Sequence, residues 1–206
     1  MQHRALVLGI GNVLWADEGF GVRCVEHLAD TLEFDAPVTI LDGGTQGLYL
    51  LPFLEDHDLM VVFDAVDYGL EPGTMKVVEG DEVPTFMGAK KMSLHQTGFQ
   101  DVLATARLMD CHPAQIVLIG CQPEELEDYG GGLRAPVAAR IPEAVALAAD
   151  WLAARGVRSR PGRTVTNDLA DSAIRQRAYE DGRPSADEAC RIGDARFLPG
   201  DLQRAD

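Results

Sequence analysis

The sequence predicts an α/β fold: three layers, with an open, twisted, mostly parallel sheet and helices on both faces. Two observations carry this. Short runs of almost wholly apolar residues recur along the chain, as expected of strands buried on both faces. Between these runs the apolar residues switch to a three-to-four spacing, so strands alternate with amphipathic helices. The chain has 206 residues, enough for one core that needs no disulfides to hold it.

The elements follow in order. Ala5–Ile10 is an apolar strand that stops at the glycine turn Gly9-Ile10-Gly11-Asn12. Val22, Val25 and Leu28 then recur at helical spacing through residues 21–32. Residues 38–41 form a second strand, closed by Asp42-Gly43-Gly44-Thr45, and 48–54 a short helix. Leu59–Ala65 is a third strand, apolar until Asp64. Residues 74–78 alternate in polarity and read as an edge strand or hairpin arm. Val102, Leu103, Ala106 and Met109 share one helical face in 100–109. Gln115–Cys121 is another apolar strand, and 141–155 is a strong helix carrying Val145, Leu147, Ala148, Trp151 and Leu152. From Ser159 onward Arg, Asp, Ala and Gly dominate, interrupted by Pro161, Pro184 and Pro199. The chain therefore divides into a folded body, 1–158, and a polar, flexible C-terminal tail, 159–206, in which 170–179 can form only an isolated helix.

Charge narrows the partners. The net charge is −15, and residues 1–158 hold 24 Asp and Glu against 10 Lys and Arg. Such a body repels nucleic-acid backbones and anionic membranes and attracts a partner segment of basic character; its plainer consequence is solubility. Cys24, Cys111, Cys121 and Cys190 show no CxxC pair, which points to reduced thiols and a cytoplasmic protein. Neither a signal peptide nor a spanning apolar run is present. The chain is expected to act as a monomer.

Four polar motifs fall just after predicted strands, where ligands sit in an open parallel sheet. Gly9 and Gly11 suggest a dinucleotide loop, but Leu14 stands where the third glycine belongs, and the fingerprint fails. Asp17 reads as a helix cap. Glu18, followed by Gly19 and Gly21, has room beside it for a ligand. The run Asp42-Gly43-Gly44-Thr45-Gln46-Gly47 is a permissive turn in which Thr45 can cap the next helix and Asp42 either holds the loop or meets substrate. Asp64 ends an apolar strand, where a carboxylate needs a partner or an ion. Of the five histidines only His95, in Ser93-Leu94-His95-Gln96, stands at a loop-to-helix junction. Glu18, Asp64 and His95 offer two oxygens and one imidazole nitrogen, a set suited to zinc or nickel. No HExxH and no GxSxG occurs.

Taken jointly and in this order, Gly9–Asn12, Asp17–Gly21, Asp42–Thr45, Asp64-Ala65 and Ser93–Gln96 resemble the hydrogenase maturation endopeptidases. The similarity runs over roughly 4–155 and makes 1–158 the protease domain. It implies a substrate, the precursor of a nickel–iron hydrogenase large subunit, that loses a short C-terminal extension once nickel is in place. It also implies that Glu18, Asp64 and His95 bind the metal and form the catalytic centre, that nickel is supplied by the substrate, and that no organic cofactor is used. Two other readings stay open at this point. One is a conventional zinc peptidase built on the same residues, the other a non-catalytic chaperone that senses nickel in the precursor.

Overall fold

The structure, a computed structural model, describes residues 3–84, 94–165, 169 and 175–181. Five strands form the main sheet: β1 (Ala5–Ile10), β3 (Val38–Gly44), β4 (Leu59–Ala65), β5 (Met75–Glu79) and β6 (Gln115–Cys121). Their order is β3-β1-β4-β6-β5, parallel throughout except β5, which runs antiparallel to β6. The alternating segment is thus one edge strand and β3 the other, and the apolar runs Ala5–Ile10, Leu59–Ala65 and Gln115–Cys121 are the inner ones. The helices are α1 (Phe20–Thr31), α2 (Leu51–Leu54), α3 (Leu94–Leu108), α4 (Ala135–Ala138), α5 (Ile141–Ala153) and α6 (Gln176–Asp181).

Strand side chains alternate between two cores, one on each face of the sheet. Val7, Val61, Phe63, Val117 and Ile119 pack with Phe20, Val25 and Leu28 of α1 and with Ala144, Ala148 and Leu152 of α5. Leu6, Leu8, Met60, Val62 and Leu118 pack with Phe99, Val102, Leu103 and Ala106 of α3 and Leu54 of α2. Burial on both faces is what makes each inner strand apolar without a break.

The first turn of α1 sits unusually close to the strand ends. A Cβ at Gly21 would strike the carbonyl oxygens of Phe63 and Ile10, and one at Gly9 would strike the carbonyl of Gly21. Gly11, at φ 130°, would meet the Glu18 carbonyl with any side chain. The early glycines therefore serve backbone-to-backbone contact between β1 and α1.

Several elements escaped sequence reasoning. α3 begins at Leu94 instead of near 100, and the expected 48–54 helix is a 3-10 turn, Gly47–Leu50, running into α2. Past residue 158 hydrogen-bonded structure continues. β7 (Ser159–Pro161) pairs antiparallel with β2 (Leu32–Phe34), which follows α1. Gly162 N–H donates to Thr31 O at 3.0 Å and Thr164 N–H to Ala29 O at 2.8 Å, so this segment satisfies carbonyls at the end of α1. In α6, Gln176 N–H donates to Glu26 Oε2 at 3.3 Å and the Tyr179 ring lies under Arg23. The composition change at 159 does not mark where ordered backbone pairing ends; most of the tail, including Cys190, lies outside the described residues.

The tightest of these contacts is the testable one. Gly21→Ala is expected to destabilise the protein by ~3 kcal/mol or more, because backbone carbonyls cannot yield as a side chain would. Urea unfolding should show a lower midpoint at unchanged slope; a midpoint near wild type would mean that the close approach at Gly21 is not required.

Candidate functional site

From β1 the chain crosses to β3 on one side and then returns to β4 on the other, which opens a crevice at the carboxyl ends of β1 and β4. Glu18 and Asp64 flank this point. Glu18 lies in a 3-10 turn, Ala16–Gly19, between β1 and α1, partly exposed. Just before it Ala16 adopts φ 38°, a left-handed conformation that costs a non-glycine residue ~1 kcal/mol or more.

Asp64 is fully buried and pairs in register with Gly120 of β6. Strand alternation sets it on the same face as Met60 and Val62, the face covered by α3. Tyr68 stands on that face too; its hydroxyl occupies the space a side chain at Gly120 would fill. Burial, then the charge of Asp64, then Cys121 push the Tyr68 pKa up, so it remains a neutral phenol. The Lys76 ammonium lies 5.0 Å from the Tyr68 ring centroid.

His95 is the second residue of α3; its side chain and Ser93 lie outside the described residues. α3 packs on the 3-10 turn that follows β3, with Gly98 facing Gly47. One helical turn before Gly98, the backbone of His95 is thereby brought to the same edge of the sheet as Glu18 and Asp64.

Asp42 is set apart from these residues. It pairs with Gly9, whose other neighbour is Phe63, so two strand spacings, about 10 Å, separate the backbones of β3 and β4 here. Asp42 also shares the face of Ile40, against α1, opposite to that of Asp64. Its carboxylate accepts the Gly44 N–H at 2.9 Å. Burial raises its pKa from 3.8 to about 6, opposed by the Gly44 N–H, with Glu26 adding to the rise and Arg23 opposing it. This geometry makes Asp42 a holder of the glycine loop. Thr45 does not cap the following turn, whose N-cap position is Gln46.

Asp17 is not a helix cap either. It is fully buried, and its carboxylate accepts N–H groups from Glu124, Glu125 and Arg134, more than a hundred residues away. Local sequence cannot reveal so remote a set of donors. Sequence reasoning also missed Tyr68 and the buried Gln122; neither belongs to a motif, and only the sheet register brings them to this edge. Other polar groups are structural. His57 bonds Phe53 O at 2.6 Å and Thr39 Oγ1 at 2.9 Å. Cys24, Cys111 and Cys121 are free thiols; burial pushes Cys24 up and Cys121 to about 12, which keeps both protonated and unsuited to nucleophilic attack at neutral pH.

Comparison with known proteins brings out related sequences and structures. A family model described as hydrogenase maturation protease matches residues 22–151. The hydrogenase expression/formation protein HupD of Rhodobacter capsulatus is 64% identical over 196 residues, covering 95% of this chain and 93% of its own. The hydrogenase 2 maturation protease of Escherichia coli is 42% identical over 129 residues, 62% of this chain and 78% of its own. Among solved structures, the hydrogenase maturating endopeptidase HybD from E. coli superposes with a TM-score of 0.72 at 39% identity, covering 77% of this chain and 97% of that one.

Asp42 gives this region a pH signature. Its pKa is higher folded than unfolded, so its stabilising contribution is complete below about pH 4 and is lost as pH rises through about 6. Asp42→Asn stays neutral and keeps an oxygen for Gly44. It is expected to exceed wild type in stability by on the order of 1–2 kcal/mol at pH 8, with a much smaller difference at pH 4.5. Urea unfolding at the two pH values checks this, and equal differences at both would contradict it.

Proposed function

This chain belongs to the hydrogenase maturation protease family and is an endopeptidase of hydrogenase maturation; on that premise we propose that it removes the C-terminal extension from the nickel-loaded precursor of a nickel–iron hydrogenase large subunit. The observation that most supports this reading is that the Glu18 turn packs on β4, the strand that carries the buried Asp64, beside the β1/β4 crevice, with His95 the second residue of α3.

In this reading nickel belongs to the substrate. A nickel ion held in the precursor with open coordination positions presents itself to Glu18, Asp64 and His95, whose two oxygens and one nitrogen suit a borderline divalent ion. Asp64 gains from this, since a buried carboxylate lacks the solvation it has in water and a cation restores it. Docking at nickel would bring the scissile peptide against a water polarised by the metal or by a carboxylate. That water adds to the carbonyl carbon, and its proton is passed on as the C–N bond breaks and the amine leaves. A precursor without nickel would lack the group that this centre grips, so processing would wait for metal insertion. Among the described residues no helix is long and apolar enough to cross a membrane. We take the enzyme to act as a monomer in the cytoplasm and to use no organic cofactor.

Two measurements test this. Matched precursors with and without nickel should differ, the first shortened by the mass of its extension and the second intact; equal rates would remove nickel from recognition. Tight stoichiometric zinc in the isolated enzyme would instead favour a resident metal. Glu18→Gln, Asp64→Asn and His95→Ala should each slow cleavage at least ~100-fold while the protein stays folded by circular dichroism. Near-normal cleavage by any one variant would exclude that residue from the centre.

A further inference from the structure

Residues 121–134, the last residue of β6 and the loop after it, contain none of the candidate residues, yet they are bonded both to the Glu18 turn and to the loop that follows Asp64. On one side the Asp17 carboxylate accepts three backbone donors, Glu124 N–H and Glu125 N–H on Oδ2 at 2.9 Å each and Arg134 N–H on Oδ1 at 2.7 Å. The backbone adds to this attachment: Asp17 N–H donates to Glu125 O and Ala16 N–H to Gly131 O, each at 3.1 Å, and Gly130 N–H donates to Leu14 O at 2.7 Å. The Trp15 and Tyr129 rings meet edge-on at 5.2 Å. On the other side lies Gln122, buried just past the end of β6. Its Oε1 accepts Tyr68 N–H at 2.7 Å and Leu70 N–H at 3.1 Å, and its Nε2 donates to Asp67 Oδ1 at 3.0 Å and Pro123 O at 3.2 Å. Val66 N–H donates to Cys121 O at 2.9 Å.

We infer that Asp17 and Gln122 are positioning residues that hold the Glu18 turn and the loop after Asp64 at a fixed separation, through one shared brace, residues 121–134. This deepens the proposed function and rests on Glu18 and Asp64 being the working pair. Each side chain suits the task. Asp17 presents only acceptors, and it meets only donors. Gln122 uses both amide hydrogens and two directions on its oxygen, so nothing in its amide remains for another role. Charge-assisted bonds to a buried carboxylate are about twice as strong as neutral ones. Such a clamp also accounts for Ala16, whose left-handed backbone persists only where its surroundings over-determine it. Glu18 is two residues beyond Ala16, and its backbone N–H bonds Trp15 O at 2.9 Å. Slack in the clamp therefore moves the Glu18 carboxylate, and a displacement near 1 Å costs on the order of a hundredfold in rate.

The test uses two isosteric exchanges in the full chain, Asp17→Asn and Gln122→Glu. The first puts an amide NH2 opposite a backbone donor; the second puts an oxygen opposite Asp67 Oδ1 and Pro123 O. Neither changes side-chain volume. Each should lower kcat on the nickel-loaded precursor at least ~tenfold, with KM altered less than about threefold. Val78→Ala, which trims a buried residue of the edge strand β5, serves as the stability control, and all rates are read where every variant remains folded. Amide hydrogen exchange supplies a readout that does not depend on cleavage. Asp17→Asn should speed exchange in 15–19 and 124–134, and Gln122→Glu in 66–70, while 5–8 and 59–62 stay protected. The brace is overturned by wild-type exchange in those loops, or by a loss of kcat no larger than that of Val78→Ala. If wild type itself leaves the nickel-loaded precursor uncut, the proposed function fails, and exchange still decides the brace.

Discussion

The first turn of α1 lies against the ends of β1 and β4 with backbone touching backbone, and the active edge is built on that contact. Gly9, Gly11 and Gly21 each leave empty the space where a Cβ would strike a carbonyl. Because the helix begins so close to the sheet, the turn carrying Glu18 passes directly over the crevice between the two strands. Asp64, the next-to-last residue of β4, ends its strand at the same edge. A larger residue at Gly21 would lift α1 and take the Glu18 turn with it. Interiors this dense respond to added volume by shifting whole elements.

Four carboxylates stand at or near this edge, and their surroundings separate their roles. Asp17 is buried with backbone donors around it and holds loops together. Asp42 is half-buried on the α1 face with one backbone donor, so burial leaves its acid form favoured well above the usual range. Asp64 is fully buried on the α3 face, and Glu18 remains partly open to solvent. Only the last two stand beside the β1/β4 crevice. The carboxylate group thus serves as clamp at Asp17 and as loop holder at Asp42, and the number and kind of nearby donors make the difference.

On the other side of α1 a second polar cluster ties the later chain to the body. Arg23 and Glu26 form a buried ion pair at 3.0 Å, one turn apart, and α6 packs over them through Gln176 and Tyr179. Charges so enclosed are tolerable only when paired and further bonded. Both lie close enough to Asp42 to act on its ionisation. The segment past 158 therefore touches α1 at its C-terminal carbonyls and along its flank. HybD from E. coli matches 77% of this chain over 97% of its own length, so only the remainder of this chain lacks a counterpart in it.

The α/β class, the inner strands and the main helices were legible in the sequence, and so was the position of Asp64 at the end of an apolar strand. Burial on two faces writes itself as unbroken apolar runs, and a carboxylate ending such a run, as at Asp64, is conspicuous by its cost. Local patterns of this kind depend only on neighbours a few residues away. What they cannot hold is the identity of partners far along the chain. Asp17 looked like a helix cap because its three donors lie more than a hundred residues on. Gln122 and Tyr68 belonged to no motif, and Asp42 seemed to stand with Asp64 until strand alternation put them on opposite faces. Sequence by itself determined the elements and marked the polar residues that end strands and open helices. Tertiary structure decided which of them share the crevice and what keeps them there, because register, facing and long-range hydrogen bonds exist only once the sheet has formed.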